Sequence, residues 1–68
     1  MKTWDDPHLH LGAHFRDLNT GRILQVRAFD ADEDWIRLMP VPAEPGVLAV
    51  LVTYEMIQTN YVPWDISA

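Results

Sequence analysis

The chain has 68 residues, with ten acidic and five basic side chains, three histidines and no cysteine. This length excludes multidomain enzymes, TIM barrels, kinases and hydrolase folds, and we expect one domain over residues 1–68. Without cysteine the chain has no disulfide, no thiolate zinc site and no cysteine nucleophile. Residues 1–7 are expected to form an extended lead-in, because the Asp-Asp-Pro at its end favours a turn.

The first half of the chain predicts one clear strand. Residues 8–15 fit a strand and a short helix equally well, so both interpretations stay open there. Residues 19–21, Asn-Thr-Gly, are a turn signal. Residues 22–29 then alternate apolar and polar side chains, which predicts a strand with two distinct faces. Its inward face carries Leu24, Val26 and Ala28.

Two further strands are predicted in the second half. Residues 35–41 form a strand in which Ile36 and Leu38 face inward and Arg37 faces outward. Residues 47–54 are a near-continuous apolar run rich in β-branched side chains, which predicts a buried strand.

The C-terminal part predicts one helical turn and one last strand. Residues 54–59 suit a short helical turn, and residues 60–64 suit a short strand. No amphipathic helix of ordinary length fits anywhere without crossing proline, glycine or a β-branched run. We therefore predict an all-β fold, a small barrel or rolled antiparallel sheet of four to five strands with one short 3₁₀ turn.

Two short motifs resemble those of SH3 domains. Asp32-Glu33-Asp34-Trp35 resembles the acidic loop and the tryptophan that open the third strand of that family. Residues 59–62, Thr-Asn-Tyr-Val, are similar to the Ser-Asn-Tyr-Val segment at the family's 3₁₀ turn. With the order of the elements, the resemblance covers the greater part of the chain and implies an SH3-like small barrel. The family's Ala-Leu-Tyr-Asp-Tyr segment is absent, so the resemblance does not extend to its groove for proline-rich peptides.

The three histidines are the clearest candidate metal ligands. In a strand, His8 and His10 would point to the same side, and in a helical turn His10 and His14 would share a face. Either arrangement brings two imidazole nitrogens to one zinc or copper ion, and the third histidine would complete an open site. The alternative is that the histidines are solvated, or pack near Trp4 and Phe15.

An acidic segment next to a tryptophan is the candidate partner-binding surface. We predict that it consists of Asp30, Asp32, Glu33, Asp34, Trp35 and Arg37. Tryptophan and arginine are common at the centres of protein interfaces, and the carboxylates would meet a basic partner. The alternative interpretation is a solvated turn.

The tryptophans have two possible roles. Trp35 is expected to face outward with Arg37 and Met39, where it would be available to a partner. Trp4 and Trp64 are expected to close the two ends of the barrel.

No catalytic constellation is found. The only serine, Ser67, and the only lysine, Lys2, lie near the chain ends, which disfavours a serine triad and Schiff-base chemistry. Small acidic chains of this size are typical of accessory proteins of phages and other mobile elements, many of which inhibit or redirect a host protein by covering its surface. We therefore predict a non-enzymatic protein-interaction module without a cofactor, whose partner has a basic surface.

Other functional classes are ranked below this hypothesis. A zinc protein using the histidines and a homo-oligomer formed through an exposed edge strand stay open. The excess of acidic residues disfavours nucleic-acid binding. Such binding would need the four arginines to lie on one face, namely Arg16, Arg22, Arg27 and Arg37. The apolar run 47–52 is too short to span a membrane, and no signal peptide is recognisable, so a cytoplasmic location is expected.

Overall fold

A computed structural model describes residues 3–43 and 45–65 of the chain. Within these residues it contains five strands and one helix. They are β1 (His14–Asp17), β2 (Ile23–Asp30), β3 (Trp35–Pro40), β4 (Val50–Val52), α1 (Tyr54–Asn60) and β5 (Tyr61–Trp64). The strands form one antiparallel sheet that curls into a half-barrel, which confirms the predicted all-β class.

The order of the strands across the sheet is β4-β3-β2-β1-β5. Strands β4 and β5 are therefore the two edges of the sheet, although they are neighbours along the chain. Helix α1 connects them directly, so it bridges the opening between the two edges of the half-barrel. Its single buried residue, Ile57, belongs to the core.

The β2–β3 hairpin at the centre of the sheet follows the predicted alternation. Val26 lies opposite Leu38, and both side chains face the core. Ile36 and Leu38 are completely buried, as expected for the inward face of the strand, whereas Arg37 is exposed. A β-bulge after Val26 shifts the register, so Ala28 lies opposite Arg37 on the outer face. Its predicted inward orientation is therefore wrong.

The core is apolar and is completed from outside the sheet. Its buried members are Leu9, Ala13, Phe15, Leu24, Val26, Ile36, Leu38, Val52, Ile57 and Tyr61. Trp4 packs against this cluster and stacks on Tyr54, with 5.0 Å between the ring centroids and 9° between the planes. Trp4 therefore has the expected packing role, and aromatic stacking of this kind adds about 0.5–1.5 kcal/mol to area burial.

The ambiguous segment 8–15 divides into a loop and the start of β1. The Gly12 amide donates to the Val26 carbonyl at 2.9 Å, and the Ala13 amide donates to the His10 carbonyl at 3.0 Å. Gly12 adopts a φ of +87°, which suits glycine because it lacks a Cβ atom. Residues 1 and 2 of the predicted lead-in lie outside the described residues.

Two predictions for the region after β3 need correction. The run 47–54 is not one buried strand, because only Val50–Val52 pairs with β3 and only Val52 of these three is buried. An edge strand is covered on one side only, so apolar side chains beyond the core stay exposed. The predicted 3₁₀ turn is a short α-helix, in which the Ile57 amide donates to the Thr53 carbonyl four residues earlier at 3.1 Å.

Candidate interaction surfaces

The turn between β2 and β3, residues 30–34, forms an acidic tip whose shape is fixed by its own carboxylates. The Asp30 carboxylate accepts hydrogen bonds from the amides of Asp32 at 2.9 Å and Glu33 at 3.3 Å. The Asp34 carboxylate accepts a hydrogen bond from the Tyr54 amide at 3.1 Å, and Asp34 itself has a φ of 58°. Two of the four acidic side chains, Asp30 and Asp34, therefore accept hydrogen bonds from backbone amides, a role that the sequence does not predict.

The other predicted partner-binding residues lie around this acidic tip. Asp32 and Glu33 are exposed. Trp35 is half-buried and lies opposite Asp30, and Arg37 is exposed on the same outer face two residues further along β3. The expected outward orientation of Trp35 is confirmed, because it lies on the face opposite the buried Ile36.

A second exposed surface was missed by sequence reasoning. We call it the β4 edge, and its exposed side chains are Leu48, Val50 and Leu51. Leu48 is 83% exposed, Leu51 64% and Val50 39%. The β4 edge adjoins the acidic tip, because Tyr54, two residues after β4, donates to Asp34. The signal that could have found it is the absence of charged residues from 45 to 54, a stretch too long for one buried strand in so small a sheet.

The three histidines line one open groove at the other side of the sheet, with a volume of about 610 Å³. Its walls include His8, His10, His14, Pro63, Trp64 and Asp65. His14 of β1 lies directly opposite Trp64 of β5. Trp64 is 42% exposed and lies 5.5 Å from the Arg16 guanidinium, so the prediction that it closes an end of the barrel is wrong.

The groove gathers imidazoles without a complete metal site. The Nδ1 of His10 lies 3.2 Å from the Leu11 carbonyl, which fits a tautomer that donates from Nδ1 and leaves Nε2 for another partner. Within residues 3–43 and 45–65, no three histidine, aspartate or glutamate side chains are grouped closely enough to hold a metal ion. Zinc binding by the histidines stays a prediction.

The arginines are spread along the sheet. Arg16 lies opposite Ile23 of β2, and Arg37 lies opposite Ala28 of the same strand. Five residues of strand separate these positions by about 16 Å. The Arg27 guanidinium donates to the Gln25 side chain at 3.3 Å, which places one further cation near the middle of the sheet.

Two tyrosines beside the ends of α1 are perturbed electrostatically. Partial burial, the hydrogen bond that its hydroxyl donates to Asp6 at 3.2 Å, and the charges of Asp6 and Asp5 raise the pKa of Tyr54 above 10.0. Burial and the nearby Asp17 carboxylate raise the pKa of Tyr61 above the same value. Both phenols are therefore held neutral.

Comparisons with protein-family models, curated proteins and solved structures find no match. In the described part of the chain, no helix is long and apolar enough to cross a membrane.

Proposed function

We propose that the protein is a non-enzymatic interaction module that docks its acidic tip on a basic surface of another protein. The observation that supports this function is the pre-formed acidic tip. Asp30 holds the backbone of the turn, and Asp34 ties the turn to the start of α1. Asp32 and Glu33 are therefore presented at the exposed end of an ordered turn. A surface that is already ordered loses less conformational entropy on binding.

The residues beside the acidic tip suit an interface. Trp35 and Arg37 lie next to the carboxylates on the outer face of β3. Tryptophan and arginine are enriched among residues that contribute most to binding, and a charged rim guides the approach of an oppositely charged partner. The proposed binding would therefore weaken as salt screens the carboxylates.

The test is a pair of double variants with the same charge change. Asp32→Asn with Glu33→Gln removes two exposed carboxylates and leaves Asp30 and Asp34 to hold the turn. Asp5→Asn with Glu55→Gln removes two exposed carboxylates that lie outside the turn and is the matched control. Each tagged protein is used for affinity capture from a lysate of the native host at low and high salt, with mass spectrometry of the recovered proteins.

We expect one partner to be recovered stoichiometrically by the unmodified protein and by the control at low salt. Recovery should fall at least about tenfold with the tip variant, corresponding to about 1.4 kcal/mol, and should also fall at high salt. Equal recovery by both double variants would show that the acidic tip is not the docking surface.

Metal binding is a second candidate, favoured by the position of all three histidines in one groove. If they bind zinc, the melting temperature should rise when zinc is added and fall again with a chelator, because a ligand of the folded state stabilises it. A His10→Ala variant should then lose the zinc response. An unchanged melting temperature with zinc would remove this candidate.

We also propose the kind of small barrel to which this sheet belongs and the biological setting in which it acts. An SH3-like barrel is supported by the small curled sheet and by the short helix directly before the last strand. The size class supports a phage or mobile-element accessory protein that acts in the cytoplasm as an inhibitor of its partner. The capture experiment identifies the partner, and an activity assay of that partner then distinguishes inhibition from simple attachment.

A further inference from the structure

We propose that two copies of this chain pair through their β4 edges, antiparallel and about a two-fold axis, to form one continuous sheet. In an antiparallel sheet, alternate residues of an edge strand direct their backbone N–H and C=O groups away from the sheet. At β4 these groups are accompanied by exposed apolar side chains, Leu48, Val50 and Leu51. Pairing with a second strand satisfies the backbone groups and covers the side chains together.

Charge identifies a second copy as a suitable occupant. The chain has a net charge of −5, so most contacts between two copies would bring carboxylates together. The stretch from residue 45 to residue 54 contains no charged residue, and the β4 edge lies within it. This edge can therefore meet its own copy without opposing like charges.

The antiparallel arrangement also keeps the acidic tips apart. The tip lies at the C-terminal end of β4, where Tyr54 donates to Asp34. In a two-fold antiparallel pair, the C-terminal end of one strand lies beside the N-terminal end of the other. The two acidic tips would then lie at opposite ends of the joined edge. If the proposed function holds, the dimer presents two binding tips, but the dimer itself does not depend on that function.

The expected affinity follows from the size of the edge. A stable interface covers about 800 Å² on each partner, and a three-residue strand covers far less than this. Leu48 and the rest of residues 45–49 must therefore contribute, and we expect a dissociation constant of the order of micromolar. A foreign basic strand would find a carboxylate at only one end of β4, whereas a second copy matches the apolar side chains along it.

The experiment is sedimentation equilibrium of the full chain from about 1 to about 500 µM. Leu51→Lys places a charge on the β4 edge, and Leu11→Lys is the matched control, because both leucines are 64% exposed. We expect the unmodified protein and the control to dimerise with the same dissociation constant, and Leu51→Lys to raise this constant at least about tenfold. Circular dichroism checks that each variant is folded.

Each other outcome overturns the inference. A monomer throughout the concentration range shows that the edges do not pair. A dimer whose dissociation constant is unaffected by Leu51→Lys uses another surface. An equal weakening of the dimer in both lysine variants is caused by the added charge and not by a change at the β4 edge. If Leu51→Lys does not fold, Leu48→Lys replaces it, since Leu48 lies outside the strands and is 83% exposed. Failure of dimerisation leaves the capture experiment with the acidic-tip variants unaffected.

Discussion

The two edges of this sheet are built differently. Strand β5 pairs with β1 over four residues and contains Pro63, which has no N–H to offer to another strand. Strand β4 pairs with β3 over three residues and contains no proline and no charge. Proteins commonly protect an edge with proline, charge or a covering element, and β4 has none of these within the strand itself.

The difference suggests a division of roles between the two edges. At β5, Trp64 lies against the Arg16 guanidinium and beside the histidine groove, so this side chain is partly covered by groups of the same chain. At β4, Leu51 is mostly exposed, and the acidic tip adjoins the end of the strand. The two proposed interactions, through the acidic tip and through the β4 edge, therefore both lie on the β4 side of the molecule.

The largest expected effect is the difference in stability loss between a substitution in the core and one at the β4 edge. Leu38 of β3 lies opposite Val50 and is fully buried, so Leu38→Ala should lower the free energy of unfolding by about 2–5 kcal/mol. Leu48→Ala, at an exposed position, should change the free energy by no more than about 0.5 kcal/mol when the protein is monomeric. Urea unfolding at low protein concentration measures both, and a similar loss in the two variants would contradict the exposure of the β4 edge.

A medium effect is expected where α1 begins, between the two edges. The Thr53 hydroxyl accepts a hydrogen bond from the Met56 amide at 3.2 Å and caps the helix. Thr53→Ala should lower the free energy of unfolding by about 0.5–2 kcal/mol, whereas Thr53→Ser keeps the cap and should lose much less. Thermal unfolding compares the two variants. Equal losses would mean that the threonine methyl group, rather than the cap, stabilises this end of the helix.

The sequence predicts the burial of a side chain well where burial depends on the alternation within one strand. It predicts burial poorly where burial depends on which strands lie next to each other in the sheet. The alternation around Ile36 and Leu38 predicts their burial correctly, because alternate residues of a strand share one face of the sheet and this face is the one turned to the core. The same apolar composition around Leu51 predicts burial wrongly, since Leu51 lies opposite the exposed Arg37 on the outer face of an edge strand, a position decided by the whole topology. Composition shows that a side chain is apolar but does not show that another strand covers it.

The candidate sites show the same limit. The acidic segment predicts an exposed turn. The hydrogen bond from the Tyr54 amide to the Asp34 carboxylate joins residues twenty positions apart, and no pattern in the sequence around either residue predicts it. The spacing of the histidines suggests that they share a site. The groove that they line is completed by Trp64 and Asp65 from the far end of the chain, which only the pairing of β1 with β5 brings there.

The smallest expected effect is the change in stability caused by ionisation of the two tyrosines, because this change appears only in alkaline solution. The pKa values of Tyr54 and Tyr61 are raised above 10.0 in the folded protein, so unfolded chains lose these protons first. Their contribution to stability is complete below pH 10.0 and is lost as the pH rises through the folded-state values.

Denaturant unfolding between pH 8 and pH 11 measures this loss. The unmodified protein should become less stable above about pH 10, and Tyr54→Phe should have a shallower decline over the same range because one of the two phenols is removed. An equally steep decline in Tyr54→Phe would show that burial and the bond to Asp6 do not raise the pKa of Tyr54.

The most direct test of the difference between the two edges uses the absence of cysteine from the chain. Leu51→Cys places one thiol on β4, and Val62→Cys places one on the outer face of β5 as the control. With the proposed two-fold axis beside Leu51, the middle residue of β4, the two copies of this residue lie opposite each other. Oxidation with diamide joins thiols whose Cα atoms approach within about 4.4–6.8 Å, a separation found across an antiparallel pair. We predict that Leu51→Cys forms a disulfide-linked dimer rapidly and that Val62→Cys reacts slowly, whereas equal rates, or faster reaction at Val62, would contradict the assignment of β4 as the open edge.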